Sequence, residues 1–195
     1  MLTSFFRKIT MMLCVSVIVC SVALAFLMKS TGKNGIKNVY FLVYPTDSVE
    51  AAALSVELRG GAGYYLKNEG IALHVYTNVE SANNALDGLE SEYSTAFIVG
   101  RALVVNSQRQ KVLWQSLGVI ERLIVLLEEG CRQSSAKDVL CSVGTVLRAN
   151  NEGNGLSVSL ANELVEIEKD GIFTAELRYF LCSAYDRFSQ KEVVI

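Results

Sequence analysis

A short pattern occurs twice in the first half of this chain. Tyr44 is followed by Val49-Glu-Ala-Ala52, and about 30 residues later Tyr76 is followed by Val79-Glu-Ser-Ala82. In each copy an apolar run precedes the tyrosine and a helix-compatible stretch follows it. A strand–helix unit in duplicate has few ways to bury its apolar faces. The expected fold class is α+β: a βαββαβ unit forming a four-stranded antiparallel sheet with two helices on one face.

The segments can be placed one by one. Val39-Tyr-Phe-Leu-Val-Tyr44 is β-branched and aromatic and reads as a strand, ended by Pro45, the only proline. Asp47 and Glu50 have capping-box spacing ahead of an apolar helix face made by Val49, Ala52, Ala53, Val56 and Leu58. Gly60, Gly61 and Gly63 stop that helix and provide a turn. Tyr64-Tyr65-Leu66 is a second strand, Lys67-Asn68-Glu69-Gly70 a tight turn, and Ile71-Ala-Leu-His-Val-Tyr76 a third strand. Asn78 is placed to cap a helix carrying Val79, Ala82, Leu86 and Leu89, and Thr95-Ala-Phe-Ile-Val-Gly100 is the fourth strand. Strict alternation in the third strand directs Ile71, Leu73 and Val75 at the helices and Ala72, His74 and Tyr76 at the open side.

After Asn106 the apolar period becomes helical. Val112, Leu113, Leu117, Ile120, Ile124 and Leu127 form a stripe that stops at Gly130. Ser135 and Asp138 resemble a second capping box, 150–155 is a loop, and two further helices flank Gly171. Four helices in this region either bury a core of their own or pack on the sheet.

Ahead of all this, Ile9–Met28 is an almost unbroken apolar run of 20 residues, about 30 Å as a helix, which matches the core of a bilayer. Arg7 and Lys8 before it and Ala23-Leu24-Ala25 near its end also suit a secretory signal, but the apolar run continues through Phe26, Leu27 and Met28. The expected organisation is a short tail at 1–8, a transmembrane helix or signal anchor at 9–28, a linker at 29–37, a sheet domain at 38–102 and a helical region at 103–195. Arg7 and Lys8 favour a cytoplasmic N-terminus, Lys29, Lys33 and Lys37 argue the reverse, and a short tail is easily left inside. The bulk of the chain is therefore expected to be extracytoplasmic, with the membrane contacted through residues 9–28. Residues 29–195 carry 16 bases against 20 acids, which argues against a nucleic-acid partner.

Candidate chemistry is sparse. His74 is the only imidazole, and no nucleophile motif accompanies it. Cys131, Cys141 and Cys182 read as buried free thiols rather than a disulfide framework or a metal site. Glu163, Glu166, Glu168 and Asp170 read as a solvated helix face, with paired-carboxylate glycoside hydrolysis as the sharper alternative. Trp114 is assigned to a core. Neither a catalytic group nor a metal or cofactor is called for, and an enzyme is not expected.

Leu58-Arg-Gly-Gly-Ala-Gly-Tyr-Tyr65, set between an alanine-bearing helix and a strand pair, resembles the sporulation-related repeat (SPOR) domain over residues 38–102. That resemblance implies a non-catalytic module outside the cytoplasmic membrane, often tethered by one N-terminal span. It also implies binding to peptidoglycan glycan strands lacking peptide stems, at division or sporulation septa. Carried over, the glycan-binding residues would be Tyr40, Leu42, Tyr65 and His74 on the open sheet face. Many family members have Gln in the first strand, where this chain has Tyr40, or Phe41 if the alignment shifts by one residue. A tyrosine stacks on a sugar and offers one hydroxyl but lacks the amide's two-sided hydrogen bonding. The alternative is a protein–protein interaction module of the envelope that keeps the fold without glycan binding.

Overall fold

The computed structural model describes residues 35–89, 91–150 and 155–190. The expected tail, the membrane span and most of the linker lie outside the described residues. Among those described, no helix is long and apolar enough to cross a membrane.

The element order is β1 (Gly35–Tyr44), α1 (Val49–Leu58), β2 (Tyr64–Leu66), β3 (Gly70–Tyr76), α2 (Val79–Asp87), a 3-10 turn (Ser91–Tyr93) and β4 (Phe97–Val105). Four helices follow: α3 (Gln108–Glu128), α4 (Gln133–Ala149), α5 (Gly155–Asp170) and α6 (Thr174–Gln190). The sheet is antiparallel with the order β2-β3-β1-β4. The βαββαβ arrangement holds, and α1 and α2 share one face, packing on Leu42, Ile71 and Leu73 through Val56, Ala53, Ala85 and Leu86.

Several boundaries and caps differ from the sequence expectation. Residues 35–37, assigned to the linker, already pair with 103–105 in the β1–β4 ladder, so both strands are longer than their most apolar stretch. The helix after Pro45 begins behind Ser48, with no side-chain cap from Asp47. The helix expected to start at Ser135 starts at Gln133, behind Arg132. Asn78 does cap α2, its side chain accepting from the Glu80 N–H at 2.8 Å. An unforeseen capping box, Ser107 with Gln110, opens α3. Gly60 adopts a positive φ of 82°, the left-handed backbone that ends α1, and Gly63, at 65°, does so just before β2.

The largest departure concerns the second sheet face. Val39, Phe41, Val43, Ala72, Val75 and Leu103 point away from α1 and α2, yet all are buried. They join Leu117 and Ile120 of α3 and Leu177, Leu181 and Tyr185 of α6 in one continuous core. The sheet and the four C-terminal helices form one compact unit, so the face expected to be open is roofed. Phe41, Leu103, Leu117 and Leu181 are each wholly or almost wholly removed from water. Burial of one such side chain is worth about 1.5–3 kcal/mol. An apolar sheet face paired with an apolar helix stripe has no better use for either.

A polar staple crosses the same interface. Arg101 donates to Asp186 at 2.5 Å and to Glu69 at 3.0 Å, and its guanidinium lies 5.6 Å from the centre of the Phe41 ring. The Tyr64 hydroxyl donates to Asp186 at 3.0 Å, and Gln190 donates to it at 2.8 Å. Burial and this carboxylate push the Tyr64 hydroxyl pKa well up. Trp114 packs against the core beside Tyr185, as expected. Of the three described cysteines only Cys182 is buried; Cys141 is exposed and Cys131 half-buried, which corrects the reading of all three as buried thiols.

Candidate binding cleft between sheet and helices

Strict alternation fails in β3 for a local reason. Leu42 pairs with His74, and the next residue, Val43, pairs with Ala72, so Leu73 is an extra residue in β3. At such a bulge two successive side chains fall on one side of the sheet. Leu73 and His74 both turn toward α1 and α2, Val75 turns to the roofed face and Tyr76 returns to the helix side. The expectation that Val75 faces the helices while His74 and Tyr76 face the open side is therefore reversed.

The bulge borders a cleft of about 260 Å³. Its walls are Leu42, Val56, Leu73, Ala85 and Leu89, with Tyr76 and Tyr93 adding rings, and Arg59 and Arg178 supplying positive charge. Arg178 belongs to α6, and its guanidinium donates to the Gly60 carbonyl and pairs with Glu128. Arg59 lies 5.9 Å from the centre of the Tyr93 ring. His74 meets Tyr76 edge to face, with centroids 4.6 Å apart.

Three polar atoms of the residues that line it are closed to solvent and have no hydrogen-bond partner among the described residues: His74 Nδ1, the Tyr93 hydroxyl and Arg178 Nε. Each such atom costs about 1–3 kcal/mol if it stays unmatched. All three belong to residues of this one cleft. Burial, and secondarily the Arg178 charge, push the His74 pKa down to about 3. At neutral pH the ring is thus uncharged, with one nitrogen donating and the other accepting.

The four sequence candidates separate. Leu42 and His74 line the cleft. Tyr40 is half-buried and stands next to Tyr76 across the β1–β3 pairing. Tyr65 is 44% exposed on β2 and is not part of the lining. Tyr40 and Tyr65 alternate with residues of the roofed core, so all four lie on the helix side. Arg178 and Tyr93 were not foreseen: the first lies far downstream in α6, the second in a short turn without a motif.

A larger cavity of about 460 Å³ lies between Glu57, Ala62, α5 and α6. It includes Glu163 and Glu166 of the acidic stretch but not Glu168. Glu163 is paired with Arg187 at 2.6 Å, and Glu166 with Lys169 at 2.7 Å in an exposed contact within α5. No family model, curated protein or solved structure matches this chain.

Proposed function

We propose that this chain is a non-catalytic interaction protein of the cell envelope. In this reading residues 9–28 anchor it, a SPOR-like sheet lies outside the cytoplasmic membrane, and a protein partner is the ligand. The observation that carries the choice of ligand is the roof over the second sheet face. A glycan docked in the way the SPOR resemblance implies needs one sheet face in water; here one face is covered by α3 and α6, and the other, which carries Tyr40, Leu42, Tyr65 and His74, is packed by α1 and α2. Leu42, one of the four carried-over contacts, is only 2% exposed. The missing first-strand Gln points the same way. Leu54 and Leu58, one turn apart on α1, are 58% and 80% exposed and supply apolar surface for a partner.

The test is retention of the full-length, detergent-solubilised protein on amidase-treated and untreated sacculi. The expected result is retention by neither. Preferential retention by the treated wall would restore glycan binding as the function. Release of soluble muropeptides would instead make the chain a hydrolase.

A further inference from the structure

We infer that the cleft at the β3 bulge captures the free C-terminus of a partner polypeptide whose last residue is apolar. The inference rests on the interaction-module reading and names the group recognised. A chain end combines three features in one small unit: a carboxylate, the N–H of the last peptide bond and a terminal side chain. The cleft offers a counterpart to each. Arg178 Nε–H and the Tyr93 hydroxyl are donors left unmatched, which suits a carboxylate. Neutral His74, with its proton on Nε2, presents Nδ1 as an acceptor for the last N–H. Leu42, Val56 and Leu89 provide the apolar wall for the side chain.

Size and charge agree. A volume of about 260 Å³ lies below the ~300–1,000 Å³ of pockets that enclose a whole drug-sized ligand, and it suits one residue with the rest of the chain outside. Two guanidinium groups border the space, and Glu128, which holds Arg178, is 44% exposed at its side chain and so partly screened by water. Capture of a terminal carboxylate is a recurrent mode of peptide recognition. Water is the competing occupant, since a space of about 260 Å³ corresponds to about nine molecules at ~30 Å³ each.

His74 is the chain's only histidine, so its imidazole nitrogen resonances report on the cleft without ambiguity. The experiment titrates nitrogen-15-labelled full-length protein in detergent with acetyl-glycyl-glycyl-leucine, its C-terminal amide, and isocaproate. The free acid is expected to shift the imidazole signals in a saturable way, with the amide at least about tenfold weaker, because it cannot form the charge-assisted pair. Arg178→Lys keeps the charge and removes the Nε–H fork, and is expected to weaken binding about tenfold. Tyr93→Phe is expected to weaken it about three- to tenfold and carries the test if Arg178→Lys fails to fold. Equal shifts from acid and amide, or none at millimolar peptide, overturn the inference. Isocaproate binding as tightly as the peptide also overturns it, since the occupant would then be a free short-chain acid. If the protein is kept on treated sacculi while the peptide still moves His74, the function proposed above fails and the cleft assignment stands. If sacculi do not retain it and the peptide is silent, only the cleft assignment fails.

Discussion

Arg101 on β4 and Asp186 on α6 are 85 residues apart in sequence and 2.5 Å apart in space. The Asp186 side chain is 7% exposed and that of Arg101 23%, and Tyr64 and Gln190 donate to the same carboxylate. This cluster links α6 to β2 and β4 of the sheet. Arg101→Ala removes the charge partner and leaves Asp186 in a poorly solvated place. The expected loss is about 2–3 kcal/mol, below the ~3–5 kcal/mol of a fully buried pair because Arg101 is partly wet. Urea unfolding of the two proteins measures it. A loss under about 0.5 kcal/mol would show that the pair is only a surface contact.

His74 gives stability a pH dependence of defined sign. Its folded pKa is lowered to about 3, against an ordinary value of 6.5. Between those values the unfolded chain binds a proton that the folded chain refuses, so stability falls as pH drops from about 6.5 toward 3. The slope is at most about 1.4 kcal/mol per pH unit. Glu121, its pKa raised by burial despite hydrogen bonds from Thr77, acts in the opposite direction on acidification. Comparing wild type with His74→Gln cancels that contribution. From pH 7 to 4.5 the wild type should lose about 2–3 kcal/mol relative to the variant. A pH-independent difference in urea midpoints would mean that the imidazole titrates normally.

Tyr93→Phe separates stability from binding. The hydroxyl is closed to solvent and has no described partner. Its removal should leave thermal stability unchanged or raise it by up to about 1 kcal/mol, while peptide affinity falls. A clear destabilisation in calorimetry would reveal a hydrogen bond that serves the fold, and the hydroxyl would lose its assignment to the ligand.

Gly70 opens β3 with φ of +133°. A Cβ at this position would run into the Tyr44 carbonyl oxygen, where backbone rather than a movable side chain stands in the way. Gly70→Ala should therefore cost about 2–4 kcal/mol, with circular dichroism melting as the measure. Gly118→Ala in α3, where nothing lies within 4 Å of the added atom, is the control and should be neutral or stabilising by up to about 1 kcal/mol.

The duplicated unit, the succession of its strands and helices along the chain and the glycine stops could be read from local pattern, because turn residues and β-branched runs act over a few residues. The roof could not be assigned to α3 and α6 from local pattern, but its existence left a trace. Val39-Tyr-Phe-Leu-Val-Tyr44 has no polar residue on either alternation, and a strand without alternation is one covered on both sides. The β3 bulge left no trace at all, since a single extra residue in a ladder is set by tertiary pairing. It inverted the faces of His74, Val75 and Tyr76, and His74 is one of the four candidate residues. Arg178 was beyond reach for a different reason: its contact with Gly60 depends on where α6 crosses the sheet.

That crossing imposes an order on biosynthesis. Ribosomes release β1 through β4 early, whereas the guanidinium that closes the pocket emerges only after three intervening helices have been translated. A product truncated before α6 lacks Arg178 together with Leu177, Leu181 and Tyr185, so it loses a wall of the cleft and part of the cover over the sheet at once.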